Sequence, residues 1–140
     1  VFAVTNYFHP MMDMQSIGAI SSLGLAHIGD AVYELLVRTW LCTHGKVTSH
    51  TLHRATVQFV SAPAQAAVLE RLLPRLTPEE IAIYRRGRNT RLNSIPKHAT
   101  HEQYAKATGL ETLFGALYLS GQTERINTLF TGIMEDLNAI

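Results

Sequence analysis

Apolar residues recur at spacings of three and four along nearly the whole chain, and no stretch of useful length alternates with a period of two. That pattern commits the chain to packed amphipathic helices and predicts an all-α fold of about six of them. From Ser16 to Cys42 the apolar set Ile17, Ile20, Leu23, Ile28, Ala31, Val32, Leu35, Leu36 and Trp40 predicts one long helix or a broken pair, closed by His44 and Gly45. Thr48 or Ser49 caps the next helix, which runs through Val60; Pro63 opens another that reaches Leu73, where Pro74 stops it. Thr77-Pro78-Glu79-Glu80 combines a capping hydroxyl, a proline at the first helical position and carboxylates at the positive end of the dipole, and starts a helix to about Arg86. Residues 87–100, with Gly87, two Asn and Pro96, read as a loop; His101 to Leu119 is helical, Gly121 turns, and Glu124 to about Ala139 closes the chain.

With 140 residues, 46% of them apolar, the chain holds enough apolar mass for one real core. We read residues 1–15 as an N-terminal extension and residues 16–140 as a single domain. No uncharged apolar run approaches the roughly 20 residues of a membrane-spanning helix, and Val1 to Ile20 lacks the basic start and cleavage signature of a secretory signal. The single cysteine, Cys42, excludes an internal disulfide framework and any multi-cysteine zinc site. These features point to a reducing, cytoplasmic setting. Cys42, His44, His50 and His53 are too irregularly spaced for a zinc site.

The net charge of +1 conceals an asymmetry. Residues 1–34 carry Asp13, Asp30 and Glu34 and no Lys or Arg, whereas residues 35–101 carry ten Lys/Arg against Glu70, Glu79 and Glu80. The densest part is Arg85, Arg86, Arg88, Arg91 and Lys97, with no acid between Ile81 and His101. A merely solvated face would interleave acids there, so this segment reads as a phosphate-binding surface.

Two carboxylates stand in apolar surroundings: Asp30 between Gly29 and Ala31, and Glu111 as the only acid between Gln103 and Thr123. Leaving an ionised carboxylate buried and unpaired costs several kcal/mol, so each requires a counter-charge, from a metal ion or an arginine. Small neighbours, Gly29 and Ala31 on one helix and Gly109, Gly115 and Ala116 on the other, let two helices approach and bring both acids to one cleft. Oxygen ligands of this kind favour Mg²⁺ or Mn²⁺ over zinc. An alternative stays open for the first helix: His27, Asp30, Glu34 and Arg38 form one polar stripe, in which Asp30 is a surface charge and Glu34 pairs with Arg38. For Glu111 the nearest base at helical spacing, Lys106, is five residues away and poorly placed.

The segment Leu25 to Arg38, reading Leu-Ala-His-Ile-Gly-Asp-Ala-Val-Tyr-Glu-Leu-Leu-Val-Arg, resembles the signature helix of the ribonuclease III family, and most closely its Mini-ribonuclease III branch. The likeness continues through Arg54, Val60-Ser61-Ala62 with Gln65-Ala66, Arg86-Gly87-Arg88-Asn89 and Pro96-Lys97, to Glu111-Thr112-Leu113-Phe114-Gly115 and Tyr118-Leu119. It implies a free-standing catalytic domain without a separate double-stranded RNA-binding domain. Full-length family members use four acids per subunit; Asp30 and Glu111 match one of each pair, while Ala26 and Thr108 stand at the other two positions, as in the Mini-ribonuclease III pattern.

The resemblance implies endonucleolytic hydrolysis of double-stranded RNA to 5′-phosphate and 3′-hydroxyl products, with precursor ribosomal RNA as substrate. It makes Asp30 and Glu111 the catalytic metal ligands for Mg²⁺, with Mn²⁺ able to substitute; Glu34 and Arg38, by their spacing alone, form a structural or supporting pair. The chemistry of the basic loop assigns RNA contacts to Arg85, Arg86, Arg88, Asn89, Arg91 and Lys97, with Asn93 a further 2′-hydroxyl partner and His98 and His101 flanking; the resemblance also places substrate selection on this loop and implies a homodimer packed through the signature helices. Two rivals predict different behaviour: a non-catalytic double-stranded RNA-binding or ribosome-assembly module of the same fold, and an unrelated helical interaction domain that ignores duplex RNA.

Overall fold

The one helix with no polar face occupies the centre. In the computed structural model, which describes residues 3–45, 48–91 and 98–137, the described residues form seven α-helices and no strand. They are α1 (Met14–Gly18), α2 (Ser22–Thr43), α3 (Ser49–Val60), α4 (Ala62–Leu72), α5 (Pro78–Arg88), α6 (His101–Leu119) and α7 (Thr123–Asp136). Between Thr108 and Leu117 every residue of α6 except Glu111 is buried. A helix that is apolar all round must be enclosed, and α2, α4, α5 and α7 enclose this one. The all-α expectation holds, with the long first helix resolved as a broken pair.

The break falls at residues 19–21, because Ser21 takes extended backbone and its side chain accepts a hydrogen bond from the Gly24 amide, starting α2 afresh. Thr77 and Thr100 cap α5 and α6 in reciprocal capping boxes with Glu80 and Gln103. Pro74 does not end the chain's helical course: α4 stops at Leu72 and the proline sits inside a 3₁₀ turn, Leu73–Arg75, where its missing N–H is harmless. α5 runs two residues beyond the predicted end, to Arg88, and α7 ends at Asp136. Glu80 is buried and receives two 2.8 Å bonds from Arg125 on α7, which holds its carboxyl below the usual range and pins α5 to α7.

Two notches in α6 set the helix spacing. On one side a Cβ at Gly29 of α2 would stand 1.7 Å from the Glu111 carbonyl oxygen, and one at Gly115 would stand 2.0 Å from the Leu25 carbonyl oxygen. On the other side Gly109 receives the Tyr84 ring of α5, and Gly87 of α5 faces Thr112. Gly109 therefore serves the α5 contact rather than the expected α2 contact, and Ala31 is exposed. Tyr33 of α2 completes the core with edge-on contacts to Phe114 and Phe130, at centroid distances of 5.5 and 6.3 Å.

Candidate active site

Backbone contact at Gly29 brings the next residue, Asp30, beside the residue whose carbonyl Gly29 touches, Glu111. The side chains of Asp30 and Glu111 are close enough to interact directly. Glu111 is half-buried, and burial first, then the negative charge of Asp30 and contact with its side chain, push the Glu111 carboxyl up to about 8. Asp30 itself is exposed, as the polar-stripe alternative expects, because a residue one step from a buried glycine lies about 100° further round the helix. Exposure and proximity to Glu111 coexist, since Gly29 faces α6 while Asp30 lies on the flank of α2.

No described Lys or Arg forms a salt bridge with either acid. Arg38 pairs with Glu34 at 2.7 Å, as expected of that pair, and Lys106 binds Glu70 and, at 3.0 Å, Glu102. Two neighbouring carboxylates with no salt-bridged Lys or Arg among the described residues, one of them strongly favouring a proton, are a fit for a divalent ion. Among the described residues no third Asp, Glu, His or Cys joins them. A hard cation such as Mg²⁺ would draw its remaining oxygens from water and phosphate, as it commonly does. Ala26 and Thr108 are both buried; alanine has no ligand atom and the Thr108 hydroxyl donates to the Tyr104 carbonyl one turn earlier, so neither side chain adds a carboxylate to the pair.

A residue to which the sequence assigned no role completes the site. Gln65 of α4 is only 2% exposed; its Nε2 donates to the Val60 carbonyl at 2.9 Å and to Glu111 Oε2 at 3.4 Å. That donation pulls the Glu111 carboxyl down, against the larger effects of burial and Asp30. Gln65 Oε1 is buried without a partner, which costs about 1–3 kcal/mol. The available sequence signal was an amide inside the otherwise apolar run Ala62 to Leu69.

Arg85, Arg86, Arg88, Asn89 and Arg91 are exposed at the end of α5 and just beyond it. Arg88, Asn89 and Arg91 line, with Thr90, His101 and Glu102, an open cleft of about 580 Å³. Arg86 is already engaged: its guanidinium donates to the Ile20 carbonyl at the α1–α2 break. Asn93 and Lys97 lie outside the described residues. The Cys42, His44, His50 and His53 set does not assemble, with His44 stacked on Trp40 at 4.1 Å and His50 accepting from Arg54 at 2.9 Å.

Comparison with known proteins gives concordant results. Residues 23–122 match the Ribonuclease III domain. The Mini-ribonuclease 3 of Symbiobacterium thermophilum is 48% identical over 105 residues, covering 75% of this chain and 81% of that one. The Mini-ribonuclease 3 of Clostridium tetani is 41% identical over 116 residues, covering 82% and 77%. A crystal structure of a Fusobacterium nucleatum protein superposes with a TM-score of 0.79 at 29% identity, covering 86% of this chain and 97% of that one.

Proposed function

Because this chain belongs to the ribonuclease III family, on its Mini-ribonuclease 3 branch, and is an endoribonuclease of that type, we propose that Asp30 and Glu111 are its catalytic carboxylates, acting on double-stranded RNA. The observation that carries the proposal is the pair itself: two acids brought side by side with no described cation to neutralise them. They would hold Mg²⁺, or Mn²⁺ in its place, which when bound stabilises developing phosphate charge and activates water, giving 5′-phosphate and 3′-hydroxyl ends. Asp30 meets solvent and is open to an incoming phosphate, while Glu111 is anchored on the enclosed helix. The chain thereby contributes one exposed and one half-buried ligand, and no nucleophilic side chain is required.

Arg85, Arg88, Asn89 and Arg91 are proposed to bind phosphates and 2′-hydroxyls, joined by Lys97; duplex RNA is read mainly through these groups and its shape. Arg86 is shared between this role and its bond to Ile20. The proposed natural substrate is precursor large-subunit ribosomal RNA in the cytoplasm, a reading supported by the family likeness. Among the described residues no helix is long and apolar enough to cross a membrane. Leu23, His27, Ala31 and Leu35, four apart on α2 and all exposed, support packing of that helix against a second copy in a homodimer.

Long double-stranded RNA incubated with the protein should be cut in Mg²⁺ and left intact in EDTA, and Asp30→Asn should leave it intact in both. Binding without cutting by the parent protein would assign it instead to the non-catalytic rival, and neither binding nor cutting would remove RNA from the reading. A second measurement addresses the rim. Replacing Arg88 and Arg91 together by Ala should lower the slope of log K against log salt by roughly 2, about one per lost phosphate contact. The melting temperature should hardly move, because neither arginine takes part in a salt bridge among the described residues. An unchanged slope would take both side chains out of the interface.

A further inference from the structure

We propose that Gln65 is a positioning residue for the metal ligand Glu111, an assignment that rests on the two-carboxylate reading above. A side-chain amide can present either its oxygen or its NH₂ group to a neighbour, and the choice decides whether it supports a carboxylate or repels it. In Gln65 the choice is made by the backbone. The Val60 carbonyl, an acceptor only, lies 2.9 Å from Nε2, so the NH₂ group must face it, and the second proton of that group is then directed to Glu111 Oε2 at 3.4 Å. The amide is enclosed, at 2% exposure, so water does not replace the bond.

Three elements meet in this contact: the last residue of α3 supplies Val60, α4 supplies Gln65, and α6 supplies Glu111. The arrangement fixes one carboxylate oxygen of Glu111 and leaves the other for a cation. Gln65 Oε1 has no partner, so the amide is not there to complete a satisfied core network; a methionine of similar length would fill the space without that orphaned oxygen, at the loss of the bond to the Val60 carbonyl. Groups that orient a ligand in this way typically contribute 10–100-fold in metal affinity or activity.

The test compares Gln65→Met with the parent and with Glu111→Gln in direct Mn²⁺ titrations followed by electron paramagnetic resonance, without RNA. Parent protein is expected to bind, Glu111→Gln to lose binding, and Gln65→Met to bind at least tenfold more weakly. In cleavage assays Gln65→Met should need correspondingly more Mg²⁺ for half-maximal rate and recover near-parental kcat, with KM for RNA unchanged, once Mg²⁺ saturates. Mn²⁺ affinity equal to the parent's would overturn the assignment of Gln65 alone. A parent protein that takes up no Mn²⁺ would instead overturn the two-carboxylate reading, and this assignment with it. Should Gln65→Met not fold, the parent answers the question: the Gln65 side-chain amide signals in a ¹⁵N spectrum should shift with added Mg²⁺ at the same midpoint as the Glu111 carboxyl carbon, and immobile amide signals would refute the role.

Discussion

Glu111→Gln should make the metal-free protein more stable at pH 8.5 while reducing cleavage about a thousandfold or more. The two effects share one cause. Burial and Asp30 push the Glu111 carboxyl up to about 8 in the folded chain, against an ordinary value of 4.5. The folded state therefore holds this proton more tightly than the unfolded state. Its contribution to stability is complete below about pH 4.5 and is lost as pH rises through about 8. The full loss is on the order of 5 kcal/mol, a large share of the 5–15 kcal/mol typical of a domain. A neutral glutamine has no such loss, so the variant should unfold at higher temperature in EDTA at pH 8.5, and the gap should close near pH 5. Added Mg²⁺ should raise the parent's melting temperature and leave the variant's unchanged. The drop in rate follows from removing a ligand of an ion whose charge stabilisation is worth several kcal/mol, at tenfold per 1.36 kcal/mol. Melting curves with the same pH dependence in both proteins would show that Glu111 is not the group strained by its surroundings.

Gly29→Ala should have the largest effect on the fold. The added Cβ would overlap the Glu111 carbonyl oxygen at 1.7 Å and approach the Gly115 amide nitrogen at 2.8 Å, and both obstacles are backbone rather than movable side chain. Overpacking typically costs 1–3 kcal/mol and here should reach about 3 kcal/mol, or roughly 10 °C in melting temperature. Since α2 can relieve the clash only by moving off α6, cleavage should fall further than the loss of folded protein explains. Gly18→Ala is the control: a Cβ there meets nothing within 4 Å, so it should be neutral or slightly stabilising. Equal melting temperatures for the two variants would contradict the close approach at Gly29.

Helix periodicity made the architecture legible, because the apolar run of α6 and the start of α5 at Thr77-Pro78-Glu79-Glu80 are written in local sequence. The pairing of Asp30 with Glu111 was legible through the family resemblance and through the small residues beside each acid, of which Gly29 and Gly115 make the α2–α6 contact. The contacts that were not legible are long-range and polar. The sequence placed Arg86 on the RNA rim, yet its guanidinium also reaches the Ile20 carbonyl 66 positions away. Gln65 appeared only as one letter in a family-like string, since nothing local to α4 indicates that Glu111 lies opposite. The exposure of Asp30 was half legible: the polar stripe of His27, Asp30, Glu34 and Arg38 allowed it, but an acid in an apolar run is ambiguous between a core charge and a surface one.

The contact of Gly29 with the Glu111 carbonyl is main chain against main chain, with no rotamer between them. The interval between the two acids is thereby decoupled from how the interior is filled. Substitutions among Tyr33, Phe114 and Phe130 can change volume and melting temperature, and cores tolerate much hydrophobic exchange of that sort. The gauge that sets the carboxylates apart would keep its reading through such drift, leaving the domain free to adapt its stability without retuning its chemistry.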